Sequence, residues 1–210
     1  MSKSKLNEKN LINSSFFSIY DDEDFMLKGV KVFDEFIENQ EIEHPVIESC
    51  LFTNVIFSEN IFDRVEFIDC KFINCDFSNE SLTDCVIHRT EFIGCKMIGI
   101  NFIKGYFSDV SFDNCQLSFS NFSESKLIKV QFSQCDLNSF DMIESDVKQL
   151  KFQQCNLDNS NLMQTNCKKI DFSTCHFETI DFLQEHISSC KFNQYQIVYL
   201  SKKFLNIDLA

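Results

Sequence analysis

From Phe52 to Ile197 every fifth residue is apolar. The thirty positions hold 17 Phe, six Leu, three Ile, two Met, Val147 and Cys167, and none is polar. With 44% apolar residues overall, a random placement would reach thirty successes with a probability of about 10 to the minus 11. A five-residue period fits neither a helix, which repeats its face every 3.6 residues, nor a strand, which repeats every 2.0. The centres can all point inward only if the chain turns a corner after each unit. Four units then make a coil of twenty residues, and the spacing predicts an all-β, four-sided parallel β-helix. At about 4.8 Å per coil, the thirty units predict a rod of roughly 36 Å.

The residue two before each centre carries a second signal. Ten of the eleven cysteines fall there: Cys50, Cys70, Cys75, Cys85, Cys95, Cys115, Cys135, Cys155, Cys175 and Cys190. The other corners are mostly small or β-branched, so cysteine here reads as a small hydrophobe. Cys75, Cys95, Cys115, Cys135, Cys155 and Cys175 recur at twenty residues and predict a linear interior ladder. A line of thiols offers no point where four zinc ligands converge. Packing is the reading preferred over redox or metal chemistry.

Units such as CDFSN at 75–79, CDLNS at 135–139, CNLDN at 155–159 and SNLMQ at 160–164 resemble the pentapeptide-repeat family. The resemblance covers about 150 of the 210 residues. It implies a right-handed quadrilateral parallel β-helix. The chain departs from the family pattern in using Cys where Ala is usual and in filling its interior with Phe.

No GxSxG, Walker or HExxH sequence occurs. His44, His88, His176 and His186 show no catalytic spacing and read as solvated surface. No catalytic residue, metal site or cofactor is expected, and a regular rod offers no pocket for an enzyme. No basic and apolar export segment is evident, and no apolar run nears the roughly 20 residues of a membrane helix. The chain is expected to be cytoplasmic, away from membranes, with reduced thiols.

Net charge is −13, which disfavours direct nucleic-acid binding. Residues 1–48 carry −6, residues 49–199 carry −8 and the tail carries +1. Folded on the twenty-residue period, the face centred on Phe57, Phe77 and Met97 holds Glu59, Asp76, Asp136, Asp158 and Glu178 against Lys96. The next face, centred on Phe62, Leu82 and Phe102, holds Asp63, Glu80, Asp84, Glu124, Asp141, Glu144 and Asp181 against Arg64 and Lys104. Together these faces carry −9 and the other two +1, with Lys126, Lys129, Lys148, Lys168 and Lys169 on the third. The twelve carboxylates form a candidate partner-binding side. Such charge can also serve solubility alone.

The family resemblance gives that side a candidate partner. Quinolone-resistance members look like duplex DNA in width and charge and bind DNA gyrase or topoisomerase IV. Eight net charges over roughly 36 Å is about one per 4.5 Å, against one per 1.7 Å in duplex DNA, so any mimicry is partial. Those members often carry projecting loops that engage gyrase, and the unbroken register here leaves no room for them. The expectation is a non-enzymatic, protein-binding rod that engages a type II topoisomerase. The alternative is a scaffold with an unrelated partner.

The open strand edges at both ends of such a rod need covers. Residues 1–24 read as a flexible N-terminus and 25–47 as a cap, helical or irregular. Leu27, Val32, Ile37, Ile42 and Ile47 continue the register, but Phe25, Val30, Glu35, Gln40 and Pro45 fit the corners poorly. The repeat spans 48–195. Residues 196–210 read as a short helix, from Gln196 to Phe204, and an apolar tail. There Leu200, Phe204, Leu205, Ile207 and Leu209 suit either a cap or the homodimer contact that the resemblance implies.

Overall fold

Pairing partners lie twenty residues apart along the coils. In the computed structural model, which describes residues 6–207, Phe52 faces Phe72 and Phe72 faces Phe92. On the next side Phe67 faces Ile87, and Ile87 faces Phe107. Every pairing between strands is parallel, and the coils stack into the four-sided β-helix that the spacing predicts. One side is a sheet of eight strands ending at Lys151–Gln153, and its neighbour is a sheet of seven ending at Asp146–Lys148.

The other two sides, which carry the acidic faces, pair as short strands in their first coils and again where Ser160–Asn161 meets Ile180–Asp181, with single bridges between. Their chain path is tightened by Asp or Asn standing just before the centre. Asp76 Oδ1 accepts the Ser78 N–H at 2.9 Å, Asn101 Oδ1 that of Ile103 at 3.1 Å, and Asn121 Oδ1 that of Ser123 at 2.9 Å. These Asx turns precede β-turn bonds such as Ser120 N–H to the Leu117 carbonyl, 3.1 Å. The residue two after almost every centre sits at positive φ, from Asn54 at 55° to Lys169 at 68°. That left-handed step turns each corner, which is why Asn, Asp and Gly recur there.

The interior is a column of rings. Phe52, Phe72, Phe92, Phe112 and Phe132 stack at 4.9–5.0 Å, and Phe152, Phe172 and Phe192 continue at 5.3–5.7 Å. Corner side chains tie the coils together as well as filling space. Cys70 Sγ donates to the Ile47 carbonyl at 3.1 Å, Ser125 Oγ to that of Phe102 and Ser145 Oγ to that of Phe122, both at 2.9 Å. Asn60 Nδ2 does the same to Ile37 at 2.9 Å. Each donor reaches a carbonyl 23 residues earlier, so Cys at a corner is a small donor, beyond the small hydrophobe of the sequence reading.

The N-terminal end differs from expectation. Residues 26–48 form neither a helix nor an irregular cap but a regular coil of strands, with Leu27, Val32, Ile37, Ile42 and Ile47 buried. No earlier repeat coil lies beneath it, so its corner residues are free of the stacking rule and serve the end cover instead. Glu35 accepts the Phe16 N–H at 2.9 Å, Gln40 accepts the Tyr20 hydroxyl at 2.7 Å, and Phe25 packs edge-on to Tyr20. The cover is the segment expected to be loose. Ile12–Asn13 pairs with Val30–Lys31, and the 3-10 helix Phe16–Asp21 plugs the first coil with Phe16 and Ile19, both fully buried.

At the far end the helix is Gln194–Leu205, with Asn193 and Gln196 forming a reciprocal capping box. Gln196 is buried beneath it and donates to the Phe172 and Cys175 carbonyls at 3.0 and 2.9 Å.

Candidate protein-binding face

The acidic side survives folding in reduced form. Glu80 leaves it altogether: its side chain turns into the corner, 3% exposed, where Oε1 accepts the Asn60 N–H at 3.3 Å and Oε2 has no partner. Burial raises its carboxyl above the usual range. Its position two before Leu82 marks it as inward, and the charge tally alone had put it on the surface. Asp158 is half-buried and engaged in the fold. Its Oδ1 accepts the N–H groups of Glu178 and Thr179 at 2.9 and 2.8 Å. Against partial desolvation, these bonds hold its carboxyl below the usual range.

Four more carboxylates meet the chain's own cations. Asp63 pairs with Arg64 at 3.0 Å, Asp76 with Lys96 at 3.8 Å, Glu124 with Lys104 at 3.9 Å, and Asp181 with Lys203. Among the described residues, the other six of the twelve make no ion pair: Glu59, Asp84, Asp136, Asp141, Glu144 and Glu178, with Asp136 accepting from Ser118, Asn138 and Asn156. Asp136, Asp141 and Glu144 fall in consecutive units and are the densest group. Partial burial raises the Asp141 carboxyl.

Beside this group stands a residue that charge reasoning missed. Phe119 is 65% exposed and holds φ at 61°. Its N–H donates to the Asn138 carbonyl at 2.9 Å, and its neighbour Ser118 donates to Asp136 Oδ2 at 2.9 Å. A large aromatic in a left-handed turn and open to solvent is costly on both counts. Its place two after Leu117, where Asn, Gly and Ser stand in the coils around it, was the available signal. The arrangement can present an exposed aromatic anchor with Asp136 held close by through Ser118.

The thiol ladder is closed to solvent, and every cysteine is unpaired in disulfide terms. Hydrogen bonds from neighbouring sulfurs, and then burial, raise the Cys95, Cys135, Cys155 and Cys175 thiols, Cys155 to about 11. Burial pushes Cys167 to about 12. Among the described residues no group of three or more His, Cys, Asp or Glu is placed to hold a metal ion, and no helix is long and apolar enough to cross a membrane.

The C-terminal apolar residues divide. Leu200 is buried and Phe204 packs on the core, so these cap the rod. Leu205 and Ile207 are exposed with Tyr195, Ile197 and Val198, and Leu209 lies outside the described residues.

Sequence models of the pentapeptide repeat region match residues 85–162, and models of eight-copy pentapeptide repeats match 47–79 and 66–102. No curated protein matches the chain. Among solved structures it is similar to a trypsin-treated variant of QnrB1, a plasmid-mediated fluoroquinolone resistance protein, at 18% identity over 88% of this chain and 99% of that one, with a TM-score of 0.37. It is also similar to HetL, involved in heterocyst differentiation regulation in Nostoc sp. strain PCC 7120, at 11% identity over 80% and 85%, with a TM-score of 0.49. A third is Rfr23 from Cyanothece 51142, at 10% identity over 78% and 91%, with a TM-score of 0.27. None superposes well enough to carry a partner or an activity to this chain. With matched segments reaching from residue 47 to 162 and five-residue units laid out in four-sided coils, the chain belongs to the pentapeptide-repeat proteins.

Proposed function

We propose that the chain is a non-enzymatic, protein-binding rod whose acidic side docks a basic protein surface, with a type II topoisomerase as the partner. The observation that carries docking is the group Asp136, Asp141 and Glu144 beside the exposed ring of Phe119. A carboxylate cluster steers a cationic partner, and an exposed aromatic one coil away supplies the anchor that an interface desolvates. The partner's identity rests on the family resemblance; QnrB1 is a fluoroquinolone resistance protein. In-place pairing of Asp63, Asp76, Glu124 and Asp181 favours a local docking patch over mimicry of DNA along the whole rod.

DNA supercoiling by purified gyrase, with the protein titrated in, tests the reading. The expected result is inhibition, or rescue from a fluoroquinolone, that weakens on Asp141→Lys with Glu144→Lys. No inhibition and no rescue would remove the topoisomerase and leave a scaffold with another partner.

A further inference from the structure

The strand ladder on the two sides away from the acidic face is open at one place. Asp146–Lys148 and Lys151–Gln153 end their sheets and have no strand partner in the following coil among the described residues. One coil earlier the pairing is regular, with Gln134 N–H donating to the Gln153 carbonyl at 2.8 Å and Lys129 N–H to that of Lys148 at 2.7 Å. At the opening the equivalent groups turn elsewhere. Gln154 N–H donates to Thr174 Oγ1 at 3.2 Å, Ser173 N–H to Asp171 Oδ1 at 3.0 Å, and Cys175 N–H to the Phe172 carbonyl at 2.9 Å. The core does not part, since Phe152 and Phe172 remain stacked at 5.7 Å. The opening is a surface groove of about 670 Å³ between residues 149–153 and 169–174.

One corner column changes character on the way to the opening: it begins Cys50, Cys70, Thr90 and then runs Val110, Val130, Leu150, Ile170. None of the latter four donates a hydrogen bond to the coil below, and the last two are the bulkiest.

The groove has a sign. Lys151 and Lys169 line it, Lys148 and Lys168 stand alongside, and none of the four makes an ion pair among the described residues. Asp171, the acid in the lining, is neutralised by Lys191 at 3.5 Å and held by Ser173. We propose that this groove docks an acidic, extended peptide segment, which lies along the groove and bonds the unpaired main-chain groups at the open edge of Lys151–Gln153. The free main-chain edge selects a peptide, and the lysines select its carboxylates. The volume falls in the range of ligand clefts, roughly 300–1,000 Å³. Three strand residues span about 10 Å, which suits a segment of about five residues.

Fluorescence anisotropy with a labelled pentapeptide of alternating Glu and Val, on the full chain, tests this. Controls are its backbone N-methylated form, the Lys and Val counterpart, and an oligothymidylate. The acidic peptide should bind, lose at least about tenfold in affinity on N-methylation and on Lys151→Glu with Lys169→Glu, and slow hydrogen exchange at the Phe152 amide. Circular dichroism checks that the double variant is folded; if it is not, Lys151→Ser with Lys169→Ser takes its place. Three results would each overturn the proposal: no binding of the acidic peptide, equal binding of the N-methylated form, or preference for the oligothymidylate.

Discussion

At the scale of single residues, a corner in this rod asks for a small side chain with a proton to give. Cys, Ser, Thr and Asn all meet that need at the same carbonyl, so the chemistry of the corner is shared across residue types. Ser145→Ala leaves the Phe122 carbonyl and the Ser125 N–H without their partner and should cost about 1–2 kcal/mol in denaturant unfolding. Ser145→Cys should cost much less, and equal losses would contradict the shared role. Glu80 is the exception, because as a carboxylate it has nothing to give. Burial raises its carboxyl, so the folded chain holds that proton more tightly than the unfolded chain. The resulting stability is complete below the ordinary Glu pKa of about 4.3 and is lost as pH rises through the raised folded value. Glu80→Gln should therefore stabilise the rod by about 1–2 kcal/mol at pH 7–8, with the gap to wild type closing towards pH 4. A gap independent of pH, read from melting curves, would contradict the assignment. Glu80 shows what the bare sequence hides: the register placed it inward, and only the missing hydrogen-bond partner makes that placement matter.

At the scale of elements, the centre positions were legible as far as Phe192 because a fivefold apolar period has one geometric solution, while Ile197 falls in the C-terminal helix and is exposed. The caps were not legible. The first coil breaks the corner pattern at Phe25, Glu35 and Pro45, and that pattern holds only where a repeat coil lies beneath. Its strands form because Ile56, Ile61 and Glu66 N–H groups pair with the Glu35, Gln40 and Pro45 carbonyls at 2.8–2.9 Å whatever the side chains. The plug that covers it has no period to betray it. Phe16 sits against Phe62 and Phe57 at 5.9 and 6.3 Å. Phe16→Ala should cost about 3–5 kcal/mol and, by uncovering the strand edge, promote self-association visible by light scattering. A variant that melts like wild type and stays monodisperse would show that the plug is dispensable.

At the scale of the whole molecule, the rod has an acidic half and a nearly neutral half. Two sides carry the unbalanced carboxylates, and the others balance acids against lysines and carry the open ladder. Folding on the twenty-residue period foresaw that division. It could not foresee which carboxylates would find partners, because Asp181 meets Lys203 only when the C-terminal helix folds back, and Asp158 turns to amides one coil away. What remains unpaired is smaller, with Asp136, Asp141 and Glu144 in two consecutive units and Phe119 exposed one coil away, in place of a continuous acidic face. The most direct test is surface plasmon resonance of the rod against immobilised gyrase between roughly 50 and 300 mM salt, a range over which the Debye length falls by a little more than half. The patch predicts binding that weakens with salt and falls about tenfold or more on Asp136→Lys, Asp141→Lys and Glu144→Lys together, and also on Phe119→Ala. Binding untouched by salt and by both variants, or no binding at all, would contradict it.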